Sequence, residues 1–448
     1  MATTDRTTAS APDKKLSFII VGGSLGGLAT GIALKALGHD TIVLERSSAP
    51  LLHDQGAGIV AGGHALEFLE RYNRCRRRGQ QQQQQRQEIS IHSDRRQYLD
   101  KEGNIVYSVA ANHNMSSWDL TYYLMRANYD GIASPYCPEV PTPEPHPGKA
   151  VHLHDRTVTS VTSHGNGVLV SWKSTSNPAE TGTLTADRLV GADGPSSFIR
   201  SLFAPGLERT YAGYCALRGT VPESEASADT HRVFANRFTF YHGPGIQILA
   251  YLIPGPNGAL EPGERLINFV YYTNFPEGPA LDEILTDRHG RRHRITMPPG
   301  LMDPKAWERQ KELARERLPP QFAEIVCKAK RPFAQAVTDI ISPSNEFLDG
   351  RVILVGDALA GFRPHTVAST SQAAFDAMIY ADYIEGRVGK EQWKRMTMGY
   401  ARFIQKRGVD MGQRSQHMRL PLEDYIRDRD EASVPIRNEV FPEWATAI

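Results

Sequence analysis

No stretch of this chain is apolar for long enough to span a membrane as a helix, which takes about 18 residues. Charge of one sign is missing as well. The 51 Lys and Arg against 50 Asp and Glu leave a formal net charge of +1, so nothing electrostatic draws the chain to nucleic acid or to an anionic membrane. Cysteine is scarce. Cys75, Cys137, Cys215 and Cys327 lie far apart without metal-ligand spacing, so they read as reduced, structural thiols of a cytoplasmic protein, and no metal site is expected. The first 15 residues are rich in Ser and Thr but lack the apolar centre of a secretory signal, and a disordered tail is expected there.

What is present is a globular composition, 40% hydrophobic and 23% charged over 448 residues, with room for two or three domains and a large core. Near the start, residues 16–21 form a mostly apolar run that reads as a buried strand. Gly22-Gly23-Ser24-Leu25-Gly26-Gly27 follows, and then Leu25, Leu28, Ala29, Ile32, Ala33 and Ala36 recur at helical spacing. Gly38 predicts the helix stop, and Thr41-Ile42-Val43-Leu44 resumes a strand. Such a βαβ unit aims bare backbone N–H groups at a phosphate from the start of its helix, where the helix dipole favours an anion. Glu45 closes the second strand 23 positions after Gly22, where a carboxylate can accept from a ribose hydroxyl. Ser24 stands at the middle glycine position of G-x-G-x-x-G, a departure that suits the motif if its hydroxyl meets a phosphate oxygen.

Two more strand ends carry an aspartate. Leu189-Val190 runs into Gly191-Ala192-Asp193-Gly194, and Arg351-Val352-Ile353-Leu354-Val355 runs into Gly356-Asp357-Ala358, followed by a loop and a helix from about residue 372. The carboxyl ends of strands in a doubly wound sheet line its ligand crevice. Between these motifs, residues 210–273 alternate aromatic and aliphatic positions with frequent turns and predict an antiparallel sheet. The run Gln80 to Gln85, flanked by arginines, has no apolar pattern and predicts a solvated insertion. The six prolines from Pro135 to Pro147 predict an irregular loop.

Taken in this order, the motifs resemble the class A flavoprotein monooxygenases, and within them the branch of the 2,6-dihydroxypyridine 3-hydroxylases and their fungal relatives. The matching stretches are Gly22 to Leu28, Gly56 to Val60, Gly191 to Gly194, Tyr211 to Tyr214 with Arg218-Gly219, Glu277 to Glu283, and Gly356 to Ala358 with Arg363-Pro364-His365. The resemblance implies an α/β fold: a Rossmann-type FAD-binding domain like that of para-hydroxybenzoate hydroxylase, an inserted, mostly antiparallel β-sheet substrate domain, and C-terminal helices. The expected division gives residues 16–78, 111–205 and 336–395 to the FAD domain and 206–335 to the substrate domain. It places the glutamine-rich insertion and a substrate-domain strand at 79–110, and a helical extension at 396–448.

The same resemblance implies FAD as cofactor, NADPH or NADH as co-substrate, O2 and a small aromatic substrate, with homodimerisation expected from relatives. Gly22, Ser24, Leu25 and Gly27 would hold the pyrophosphate, Glu45 the adenosine ribose, and Arg46 the adenine end. Asp193 would serve FAD and the nicotinamide donor, Asp357 the ribityl or pyrophosphate side, and Pro364, Ala368 and Ser369 the flavin ring. Trp118 or Arg126 would meet the flavin from the helix near residue 120. The implied reaction is hydroxylation of an electron-rich phenol or hydroxypyridine through a flavin C4a-hydroperoxide. A base near the attacked ring is wanted, and the candidates are His365, Tyr241, His242 and Tyr251, with His53 a further one.

Two departures bear on the substrate. The loop after His365 reads Thr366-Val367-Ala368-Ser369-Thr370-Ser371 where the relatives carry small residues, and Phe240 stands where a tyrosine is expected. Two other readings therefore stay open: a natural-product tailoring oxygenase doing epoxidation or dearomatisation on the same fold, and a catalytically idle flavin-binding protein.

Overall fold

The computed structural model describes residues 15–53, 58–75, 88–142, 145–418 and 420–431. The expected tail up to residue 14, the glutamine run with its flanking arginines, Gly56-Ala57 and residues 432–448 lie outside the described residues.

Two main sheets contribute residues to one crevice. The first has six strands in the order Glu346–Phe347, Val352–Leu354, Arg188–Gly191, Ser17–Val21, Asp40–Leu44, Ala150–Leu153. All neighbours are parallel except the Glu346–Phe347 edge. Its central strand is buried throughout from Phe18 to Val21, which explains an apolar run without alternation. The helices Leu25–Ala36, Trp118–Asp130 and Ser369–Ile384 pack around it and share its core. Helix Leu25–Ala36 ends where Gly38 adopts φ +87, and the Gly38 N–H returns to the Lys35 carbonyl.

The second sheet holds ten strands, ordered Thr296–Met297, Phe333–Ile341, Thr210–Pro222, Leu266–Asn274, Ile246–Ile253, Arg237–Gly243, Ile91–Leu99, Ile105–Ser117, Gly58–Val60, with Ala360–Gly361 paired to the second of these. It is antiparallel apart from the pairing of Arg237–Gly243 with Ile91–Leu99. Alternation gives it two unlike faces. Ile248, Ala250 and Leu252 point into an apolar core with Phe322, Ile325 and Val326, supplied by the helix Pro320–Lys328. Leu249 and Tyr251, one position out of phase, point the other way toward the crevice. A third sheet, Arg156–His164, Gly167–Ser174 and Thr181–Ala186, stands beside the first.

No helix among the described residues is long and apolar enough to cross a membrane, and no His, Cys, Asp and Glu cluster suited to a metal ion occurs among them.

Candidate functional site

The crevice between the two main sheets holds a cavity of about 350 Å³. The glycine turn forms one end of it. Gly22 sits at φ +107, and a methyl group there would lie 2.3 Å from the Ala192 carbonyl oxygen; one on Gly27 would lie 1.9 Å from the Gly22 carbonyl oxygen. Only glycine lets the turn close this tightly against the neighbouring strand. Ser24, Leu25 and Gly26 line the cavity. Ser24 is the N-cap of helix Leu25–Ala36, yet its side chain makes no capping bond, so it leaves the first backbone N–H groups free of a cap. That leaves an anion seat.

A second helix start faces the same space. Ser369, Thr370 and Ala373 of helix Ser369–Ile384 line the cavity, with Ala368 as an N-cap that forms no side-chain bond. The Ser371 hydroxyl points away and donates to the Gly62 carbonyl at 2.6 Å. The bulkier loop after His365 therefore does not cap the helix start that it precedes.

Asp357 lies between these two helix starts. Among the described residues its Oδ1 is buried without a hydrogen-bond partner, and burial pushes its pKa up to about 6 against the opposing pull of Arg209, a Ser369 hydrogen bond and Arg200. An orphaned carboxylate oxygen in such a place is accounted for by a ligand hydroxyl. At the far end of the turn, Glu45 is 8% exposed and accepts from the Gly23 and Ser47 N–H groups, each at 2.8 Å. Next to it stands His152, whose ring nitrogens are both buried without partners and whose pKa burial lowers to about 4. Two anion seats, a carboxylate with one orphaned oxygen between them and a second carboxylate at one end fit FAD.

The structure sorts the other residues singled out in the sequence. Trp118 lines the cavity and stacks on Tyr122, centroids 4.8 Å apart. Arg126 does not reach it. The guanidinium is 3% exposed, pairs with both Asp130 oxygens, and also donates to the Pro50 carbonyl and Tyr122 hydroxyl. It braces the helix Trp118–Asp130 against the Pro50 segment and is not part of the cavity lining. Arg46 is exposed, and its carbonyl accepts from the Thr175 hydroxyl. Asp193 spends its carboxylate on the start of helix Phe198–Phe203, accepting from Ser197 and from the Phe198 and Ile199 N–H groups. Its neighbours Ala192 and Gly194 line the cavity in its place.

Of the four candidate bases, only Tyr251 faces the cavity. Tyr241 lies on the opposite face of the sheet, against the helix-covered core, because period-two alternation puts it out of phase with Phe240 and His242. His242 shares the crevice-side face but stacks on Tyr425, centroids 4.2 Å apart, away from the cavity. His365 sits one layer behind the wall. Its Nε2 lies 3.0 Å from the Tyr214 hydroxyl and its Nδ1 3.0 Å from Gln247 Oε1. Since Gln247 Nε2 donates to the Tyr425 hydroxyl, Oε1 accepts, so the His365 proton is on Nδ1 and Nε2 accepts from Tyr214. Burial and the nearby Arg363 charge lower its pKa to about 3. His53 is held by the Tyr123 hydroxyl. Phe240 stacks on Tyr98, behind the lining.

Sequence reasoning missed Arg209, Arg218, Tyr272 and Gln335, all of which line the cavity. Arg218 had a signal. It is a lone charge inside Tyr214-Cys215-Ala216-Leu217-Arg218-Gly219-Thr220-Val221, a strand otherwise suited to burial.

Comparison with known proteins agrees with this geometry. Residues 211–339 match the model of an FAD binding domain-like family. The chain is 29% identical over 392 residues to 2,6-dihydroxypyridine 3-monooxygenase of Paenarthrobacter nicotinovorans, covering 85% of this chain and 87% of that one. It is 25% identical over 272 residues to the FAD-dependent monooxygenase asL4 of Sarocladium schorii, covering 57% and 55%. Among solved structures, 2,6-dihydroxypyridine-3-hydroxylase from Arthrobacter nicotinovorans superposes with a TM-score of 0.75 at 26% identity, covering 91% of this chain and 94% of that one. By sequence and by fold, the chain is thus similar to 2,6-dihydroxypyridine 3-monooxygenase and to other FAD-dependent monooxygenases.

Proposed function

We propose that this protein is an FAD-dependent monooxygenase that uses NAD(P)H and O2 to hydroxylate a small, electron-rich aromatic or heteroaromatic ring, a phenol or hydroxypyridine. The observation that carries the reading is the convergence of two uncapped helix starts and the orphaned Asp357 oxygen on one cavity, floored by a sheet face of apolar and phenolic side chains.

When bound, FAD supplies the redox chemistry, accepting hydride and activating oxygen. The chain holds it and shapes the space beside it. Backbone N–H groups after Ser24 would take the pyrophosphate, Glu45 the adenosine ribose, and Asp357 a ribityl hydroxyl. Pro364, Ala368 and Ser369 would border the ring. Leu249, Val270, Phe333 and Val337 make the substrate side of the cavity apolar, which keeps water from the reacting centre.

No side chain on that wall is a ready base at neutral pH. The Tyr251 hydroxyl is pushed up to about 12 by burial, and that of Tyr272 is raised as well. Both therefore stay protonated and donate hydrogen bonds to a ring oxygen of the substrate. A ring hydroxyl that gains donors and loses its proton feeds electron density into the carbon to be oxygenated.

The test is NAD(P)H oxidation by purified, FAD-loaded protein, screened with 2,6-dihydroxypyridine and monocyclic phenols and followed by product mass. Ligand-stimulated oxidation with a product heavier by one oxygen supports the reading. A flavin-loaded protein that oxidises NAD(P)H at the same rate with and without every ligand contradicts it.

A further inference from the structure

The residue that leads Asp357 into the crevice is gripped by one helix on both of its polar sides. Gly356 follows the strand Val352–Leu354 at φ +56 and lines the cavity. Its N–H donates to Asp376 Oδ2 at 2.8 Å, and its carbonyl accepts from Gln372 Nε2 at 3.2 Å. The Leu359 N–H shares that carbonyl at 2.9 Å. Asp376 and Gln372 both come from helix Ser369–Ile384, four positions apart and therefore neighbours on its surface. They are 1% and 0% exposed, too deep to be ordinary helix polars.

Each of these side chains has one polar atom left over. Asp376 Oδ1 and Gln372 Oε1 are buried without a hydrogen-bond partner among the described residues. Two acceptors cannot satisfy each other, and burying an ionised carboxylate without a counter-charge is costly. One proton resolves both: on Asp376 Oδ1 it makes the missing donor, and Gln372 Oε1 is the acceptor beside it. Burial raises the Asp376 pKa well above the usual carboxylate range, and Gln372 is close enough to bond the same carboxyl. No cation among the described residues acts on Asp376. Tyr400 of helix Lys390–Gln416 feels it, but burial lifts that phenol to about 12 and keeps it neutral, with Arg407 acting on Tyr400 instead. Asp357 in turn answers to Arg209 and Arg200.

We propose that Asp376 is held as the neutral acid, donating from Oδ1 to Gln372 Oε1, and that the pair closes a cycle of hydrogen bonds around Gly356 that positions Asp357 for the cofactor. The cycle runs from the Gly356 N–H to Asp376, from Asp376 to Gln372, and from Gln372 back to the Gly356 carbonyl. Each bond polarises the next, so the three hold together more firmly than they would singly. This rests on the monooxygenase reading and deepens it. The cycle fixes the strand end from which Asp357 would meet a ribityl hydroxyl, and ties it to the helix whose start forms the second anion seat. Asp376 and Gln372 are positioning residues, since neither lines the cavity.

The experiment titrates purified, FAD-free protein with FAD by flavin fluorescence, and follows hydrogen exchange at the Gly356 amide in the same FAD-free protein. Asp376→Asn preserves the cycle, because its side-chain amide accepts from Gly356 and donates to Gln372. It should match wild type in melting temperature and within about twofold in FAD affinity. Gln372→Met opens the cycle at nearly constant volume. It should weaken FAD by about fivefold and speed exchange at Gly356 by a similar factor. In an Asp357→Ala background the same substitution should cost no further affinity, because it acts through Asp357. The proposal is overturned if Asp376→Asn weakens FAD as much as Gln372→Met does, or if exchange at Gly356 is unchanged in Gln372→Met. An undiminished loss in the Asp357→Ala background would show a merely structural pair and overturn it too. A wild-type protein that takes up no FAD counts against the monooxygenase reading and against the cofactor role of the pair alike, while exchange at Gly356 still decides whether the cycle exists.

Discussion

Tyr272 lies almost flat against His365, ring centroids 4.1 Å apart and planes 27° from parallel. The tyrosine is part of the cavity wall and the histidine is the layer behind it. A hydrogen-bonded chain runs on from Tyr214 through His365 and Gln247 to Tyr425, which ties the loop beside the flavin site to the helix Leu422–Glu431. His365 thus packs behind a wall residue and is not itself part of the cavity lining.

Stability should therefore depend on pH through this histidine. Its folded pKa of about 3 is below the unfolded value of 6.5, so between those values the unfolded chain binds more protons. The stabilisation is complete above pH 6.5 and is lost as pH falls toward 3, at up to about 1.4 kcal/mol per pH unit. His152 and His242, both lowered to about 4, add with the same sign. Asp357, raised to about 6, works in the opposite direction. Urea unfolding of wild type and His365→Gln across this range should show a shallower acid loss in the variant.

Arg126 gives a sharper structural test. Arg126→Met leaves Asp130 without its bidentate partner and frees the Pro50 carbonyl, at a cost of about 3 kcal/mol in stability. FAD affinity should stay within about twofold of wild type, a margin of less than 0.5 kcal/mol. Denaturant midpoints and flavin titration separate the two effects. A large loss of FAD affinity with unchanged stability would restore this arginine to the cofactor site.

The two tyrosines on adjacent strands make a matched pair. Tyr251→Phe removes a donor from the cavity wall and should lower kcat/KM by about tenfold, or 1.4 kcal/mol. Tyr241→Phe, on the far face of the same sheet, should leave steady-state turnover unchanged. Equal losses in both would mean that the sheet's faces are assigned wrongly.

The contrast between these tyrosines also shows what the sequence could convey. The buried strand Ser17–Val21, the glycine turn and the aspartates after two other strands are local patterns, legible because each depends on residues close in the chain. The side of a sheet on which Tyr241 falls depends on register with strands far away, and no single strand states it. The resemblance implies that Arg126 meets the flavin, while its partner Asp130, one helical turn along, engages its guanidinium. Asp193 was likewise located at a strand end, yet the start of the short helix Phe198–Phe203 takes its carboxylate. Tyr272 and Gln335 gave no signal. Each looks like an ordinary sheet residue until the crevice forms over it.

The account rests on FAD filling the space between the two helix starts, and flavin titration of the purified protein tests that most directly. It predicts a yellow protein that takes up one FAD per chain. Asp357→Ala should weaken that uptake by about tenfold, roughly 1.4 kcal/mol, without lowering the melting temperature of the FAD-free form. A folded protein that stays colourless with added FAD, or an Asp357→Ala variant that holds FAD as tightly as wild type, would contradict it.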